Sequence, residues 1–150
     1  MISNLALEEG FWRLLGRGSY AIALYALVGL GLMTVGFFAI DLTTPGNLRH
    51  MVRDGKPNAI IVTSAGLISM AFIVVLAIFS SAGKLSEGLI ASIIWGLVGI
   101  GAQIISVRVI EKVIGIDIGR VIMAEKYLPE VLLVAAAHFA LGLVVAFAIL

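Results

Sequence analysis

The sequence predicts an all-α polytopic membrane protein: a four-transmembrane-helix bundle with a short N-terminal amphipathic helix. Three observations predict it. Four long apolar runs, 20–40, 58–80, 88–107 and 131–150, contain no Asp, Glu, Lys or Arg. Each is about 20 residues, which at ~1.5 Å per residue spans the ~30 Å hydrocarbon core of a bilayer. The chain is 61% hydrophobic and only 13% charged, against ~25% charged in an ordinary soluble domain. Burying that apolar surface inside 150 residues in water is implausible, whereas lipid solvates the outer faces of membrane helices. All three prolines, Pro45, Pro57 and Pro129, fall outside the runs.

Residues 1–19 read as an interfacial N-terminal segment. Asn4 can cap a helix with Glu8 and Glu9 in its early turns and Arg13 and Arg17 near its end, the order that suits the helix dipole. Leu7, Phe11, Leu14 and Leu15 share a face beside Trp12, as an amphipathic helix lying on a membrane requires. Glu8 and Glu9 stand where a secretory signal would be basic. The run 20–40 also exceeds a signal's apolar core of about 7–15 residues, so it is expected to be a retained span.

The connection 41–57 is turn-rich (Thr43-Thr44-Pro45-Gly46-Asn47), then basic. Pro57 and Pro129 immediately precede the expected second and fourth helices, where a missing amide proton costs a helix least. Residues 81–87 are expected to form only a tight turn. The segment 108–130 is predicted to extend the third helix into the cytosol and then to form an amphipathic stretch broken around Gly115 and Gly119.

The whole chain, 1–150, reads as a single membrane domain made of two units of helix, charged connection, helix. A shift of 72 positions lays Pro57 on Pro129 and Gly29 on Gly101. Each half crosses twice, so duplicated halves would be parallel, with a pseudo-twofold axis along the membrane normal. Arg13, Arg17 and Lys84 lie on one side; Arg49, Arg53, Lys56, Arg108, Lys112, Arg120 and Lys126 lie on the other. The positive-inside rule puts the second group in the cytoplasm and both termini outside it. Tyr20 and Tyr127 suit interfacial anchoring.

Within the runs, Ser92, Gly96, Gly99, Gln103 and Ser106 share one helical face. His138, Gly142 and Ala146 share another, the first helix offers Tyr25, Gly29 and Gly36, and the second Asn58, Ala65 and Ser69. Small residues let backbones approach, and polar ones bond across. Tyr25, Asn58, Gln103 and His138 form the candidate intramembrane polar site. His138 has two readings: a proton relay or polar point on a pathway, or a neutral imidazole hydrogen-bonded to Gln103, Tyr25 or a serine that fixes helix register. No carboxylate lies within the runs to partner it. Asp41, Arg49, Arg53 and Lys56 form a candidate cytosolic contact surface. Asp41 can pair with Arg49, bind a cation or cap a turn, and the three basic residues can meet anionic head groups.

No cysteine is present, which excludes disulfides and thiol chemistry. His50 and His138, the two histidines, have no metal-ligand spacing. No glycine-rich phosphate loop follows a strand, and no basic cluster suggests nucleic acid. A catalytic site would need a second acid or base at depth, so no enzyme and no cofactor are expected.

The junction Asp41-Leu42-Thr43-Thr44-Pro45-Gly46-Asn47-Leu48 resembles the D-L-x-T-P-G-x-L junction of a family of small bacterial membrane proteins, domain of unknown function 350, the UPF-type transmembrane proteins. Asn58-Ala59 is similar to the family's asparagine-alanine start of the second helix. Gln103 matches a late glutamine in the third, and the stretch from Val134 through His138 to Leu143 resembles the fourth. The resemblance covers roughly 20–150. Where the family often repeats the asparagine-alanine pair, this chain has Pro129-Glu130-Val131. The resemblance implies a four-helix, multi-pass bacterial inner-membrane protein and no particular activity; a tendency of members to be encoded near envelope-stress and polyamine-related genes is an association only.

Two functions follow as expectations. The first is a non-enzymatic membrane module in envelope maintenance, embedded in the lipid bilayer, that forms a homo-oligomer or binds a membrane partner protein. The second is a small transporter or channel subunit acting as an oligomer, with Tyr25, Asn58, Gln103 and His138 lining its path.

Overall fold

The computed structural model describes residues 10–81 and 84–150. Six helices follow in order: α1 Phe11–Thr43, α2 Leu48–Arg53, α3 Pro57–Ser80, α4 Leu85–Ile114, α5 Ile118–Met123 and α6 Glu130–Ala148. No strand occurs among the described residues. The four long helices α1, α3, α4 and α6 are each long and apolar enough to cross a membrane. Their outward faces carry Ile22, Leu27, Leu30, Ile94, Val98 and Val144, all exposed, as lipid-facing surfaces should.

Two spans are longer than the apolar runs indicate. α1 has 33 residues, about 50 Å, and continues unbroken through Arg13 and Arg17. No separate interfacial helix therefore exists from Phe11 onward; Asn4, Leu7, Glu8 and Glu9 lie outside the described residues. Nothing between Phe11 and Ser19 stops a helix, since Gly16 and Gly18 weaken one without removing a hydrogen bond. α4 runs on to Ile114, as the predicted extension of the third helix requires, and stops at Gly115 in the left-handed conformation (φ 74°). Gly119 does not break the chain. It lies buried inside α5, where a Cβ would stand 2.6 Å from Pro45 Cγ.

α2 and α5 sit at one end and cap it. Thr44 is extended because Pro45 follows it. Asn47 caps α2 by accepting from the His50 amide (3.1 Å), and Asp117 caps α5 by accepting from the Arg120 amide (2.9 Å). Asp41 and Glu111, each seven residues before the short helix begins, reach forward to its first amide: Leu48 N–H donates to Asp41 Oδ1 (2.7 Å) and Ile118 N–H to Glu111 Oε1 (3.1 Å). Leu48, Met51, Ile118, Val121 and Ile122 are buried in one apolar cluster with Ala59, Val62, Val131 and Val134.

α3 and α4 each pack against the other three long helices, whereas α1 and α6 make at most a slight contact. A twofold axis along the membrane normal would pair α1 with α6 as it pairs α4 with α3, so the predicted pseudo-twofold packing is not formed. The reason is where α1 can approach: Gly36 meets Met70, Gly29 meets Val74, and Leu32 fills the space over Gly96 of α4. All of these point at α3 or α4. The closest seam is α3 on α6. A side chain at Gly142 would overlap the Ser69 hydroxyl and come within 3.0 Å of Ser69 Cα, and Phe72 and Phe139 meet edge to face at 5.7 Å.

Candidate intramembrane polar site

The seam between α3, α4 and α6 holds the polar groups at depth. The expected faces point inward: Ser92, Gly96, Gly99 and Gln103 of α4 and His138, Gly142 and Ala146 of α6 are buried, while Ser106 is half-buried. Gln103 is 1% exposed and His138 5%. They meet, but not ring to amide. Gln103 Nε2 donates to the backbone carbonyl of His138 (2.8 Å), and Ser69 Oγ donates to the same carbonyl (2.9 Å). One carbonyl of α6 thus ties down α4 and α3 together. The close approach that Gly142 permits is what brings Ser69 there.

Among the described residues, three buried side-chain atoms have no protein hydrogen-bond partner: Gln103 Oε1, His138 Nδ1 and Thr63 Oγ1. In lipid each such atom costs on the order of a few kcal/mol. Gln103 and His138 both line a small cavity of about 20 Å³. Ile40 and Thr43 at the end of α1, with Thr44 just after it, line the cavity, as does Arg108 of α4. Arg108 is ion-paired with Glu111, whose other oxygen holds the start of α5. The His138 ring lies over Gly66 of α3, whose Cβ position is 3.9 Å from Nδ1. Ser69, Thr43 and Arg108 were not among the candidate site residues. Ser69 was legible as a member of the α3 face, and Arg108 as the first charge after the third run.

The structure does not bring Tyr25 or Asn58 to this site. The Tyr25 phenol packs on Gly88, fifteen residues before Gln103 along α4, about 22 Å away. Asn58 begins α3, about 16 Å from Ser69 along the helix. It is fully buried and has every polar atom engaged: Nδ2 donates to the carbonyls of Lys126 (2.8 Å) and Ala124 (3.3 Å), and Oδ1 accepts from the Leu128 amide (3.1 Å). Asn58 is a clamp on the chain between α5 and α6.

On the cap, Arg49 and Arg53 are exposed, and the Arg49 guanidinium stands 5.8 Å from the Phe38 ring. Asp41 is occupied by the Leu48 amide and forms no ion pair with Arg49 among the described residues. Lys56 is half-buried, and its amine donates to the Met123 carbonyl at 3.5 Å. No cluster of three or more potential metal-ligating His, Asp or Glu side chains occurs among the described residues.

Among known proteins, the chain is 40% identical over 85 residues to a UPF0719 transmembrane protein of Mycolicibacterium paratuberculosis, 56% of each chain. It is 36% identical over 81 residues to UPF0719 transmembrane proteins of Mycobacterium bovis and Mycobacterium tuberculosis, 53% of each chain. These matches span little more than half the length of the relatives. No solved structure matches. The family model for Domain of Unknown Function (DUF350) matches residues 11–149. With its four spans and its junction at Asp41–Leu48, the chain is a multi-pass membrane protein and belongs to the DUF350 family.

Proposed function

We propose that this chain is a non-enzymatic module of the bacterial inner membrane that acts in envelope maintenance by assembling with a second copy or with a membrane partner protein. The cap faces the cytoplasm, because seven of the ten Lys and Arg residues lie at that end; both termini face outward. The observation that carries the reading is the cap. Its two connections are locked to each other through Asn58, Gly119 and Pro45, and it displays Arg49, His50 and Arg53 outward on one short helix. A rigid element that presents a charged face suits recognition of an acidic partner surface. The interior supports the same reading. Beyond the Gln103–His138 seam, Gly96 and Gly99 are closed over by Leu32 and Ile73, which is dry packing.

The test is crosslinking of the full chain in native membranes, followed by native mass spectrometry in nanodiscs. A defined oligomer or complex is expected, lost in the Arg49→Glu/Arg53→Glu double variant while its melting temperature is kept. A monomer without partners under both methods overturns the reading.

The cavity at Gln103 and His138 favours a second reading, a transporter or channel subunit. Flux through reconstituted liposomes decides it: Gln103→Ala and His138→Ala should each reduce flux, and unchanged flux in both removes the path. Tyr25 and Asn58 lie away from the cavity, in other contacts.

A further inference from the structure

We infer that the cavity between α1, α4 and α6 is a binding site for one ordered water molecule, which enters from the capped end and bridges Gln103 to His138. The inference is independent of the partner reading and of any flux. Two buried polar atoms, Gln103 Oε1 and His138 Nδ1, lack protein partners, and the residues that carry them line the same space. The space measures about 20 Å³, above the ~10–15 Å³ that one water needs and too small for an organic ligand. A stable buried water also needs two or more polar partners, and these two atoms supply them.

The chemistry closes for either form of the ring. Gln103 Nε2 donates to the His138 carbonyl, which fixes the amide, and its Oε1 is an acceptor only, so the water donates one O–H to it. If the ring carries its proton on Nε2, the water donates its second O–H to Nδ1. If Nδ1 carries the proton, the water accepts from it. Entry is one-sided. Toward the cap the cavity is lined by the polar Thr43, Thr44 and Arg108 beside the apolar Val107 and Ile118. Thr43 donates its hydroxyl hydrogen to the Ala39 and Ile40 carbonyls (2.9 and 3.1 Å), so toward an entering water it can only accept. In the other direction Gly142 closes on Ser69, and Gly99 on Ile73.

Water-edited solid-state NMR on the full chain in proteoliposomes, with labelled histidine, reads this directly. The chain has two histidines; exposed His50 serves as the hydrated reference, and His50→Asn assigns the His138 ring. Transfer from water to the His138 ring on the timescale seen for His50 is expected. Gln103→Met, which keeps side-chain length and removes the amide, should lose most of it, and Thr43→Phe, which fills the entrance, should slow it several-fold. A dry His138 ring in the unmodified chain overturns the site whether or not either variant folds. Unchanged transfer in Gln103→Met overturns the bridge, and unchanged transfer in Thr43→Phe overturns the entry route.

Discussion

The two connections at the capped end are built from the same parts and finished differently. In each, an acidic side chain near the end of a long helix reaches the first amide of a six-residue helix, and an Asn or Asp caps that helix three residues before the amide it serves. Asp41 and Glu111, Asn47 and Asp117, and Leu48 and Ile118 are each 70 positions apart, whereas Pro57 and Pro129 are 72 apart. The matching features of the two connections are therefore 70 positions apart through the short helices, and two extra residues fall between α5 and Pro129. The first connection closes on itself: Gly55, at φ 74°, lets Lys56 N–H reach the Met51 carbonyl and Gly55 N–H the Val52 carbonyl (3.0 and 3.1 Å), the Schellman arrangement. The second has no such turn, and its extra length is held by Asn58, a residue of the first half. One half folds its own connection and then supplies the clamp for the other.

The largest expected effect is at the point where the two connections touch. Gly119→Val would drive a side chain into Pro45. Overpacking of this kind costs about 2–3 kcal/mol, and both connections should loosen together. Melting in detergent, followed by the fluorescence of the two tryptophans, should drop by several degrees, and hydrogen exchange should rise in α2 and α5 alike. Exchange confined to α5 would show that the connections are independent.

Asn58→Ala should come next, at about 2 kcal/mol for three hydrogen bonds lost from a partly wettable loop. Here the effect should be one-sided: faster exchange and faster proteolysis within 124–128, with the first connection protected as before. Equal loosening of α2 would mean that Asn58 supports the whole cap.

These two residues also show what could be read from the sequence. The four spans were legible because uncharged apolar runs of bilayer length have few other uses. The caps at Asn47 and Asp117 follow local rules of the same kind. Asn58 read as an intramembrane polar residue because its partners lie 66–70 positions away, beyond any local pattern. Gly119 read as a breaker because glycine usually marks one, but its cause is a neighbour from the other half. Gln103 and His138 were placed on inward faces correctly. That they meet through a backbone carbonyl was not legible, because every helix carries such acceptors and the register of α4 on α6 chooses among them.

Asp41→Ala and Glu111→Ala make a matched pair with smaller effects. Each frees the first amide of a short helix, at about 1 kcal/mol. Glu111→Ala should cost somewhat more, since Arg108 also loses its partner, although that pair is partly exposed and adds little. Glu111→Gln separates the two contributions: it keeps an oxygen for the Ile118 amide and removes the charge, so it should recover most of the loss. If Glu111→Gln is as damaging as the alanine variant, the ion pair rather than the cap holds the second connection, and the two connections differ in kind as well as in length.

The smallest expected effect tests whether the clamp needs Lys56. Its amine donates to the Met123 carbonyl at 3.5 Å from a solvent-accessible position, the weak end of hydrogen-bond geometry. Lys56→Met keeps the aliphatic stem over the end of α5 and removes only that bond, so melting should shift by no more than about 0.5 kcal/mol. Combined with Asn58→Ala, it should add no more than it does alone, because the two side chains hold neighbouring carbonyls without touching a common atom. A combined loss clearly larger than the sum would place Lys56 and Asn58 in one clamp on residues 123–128.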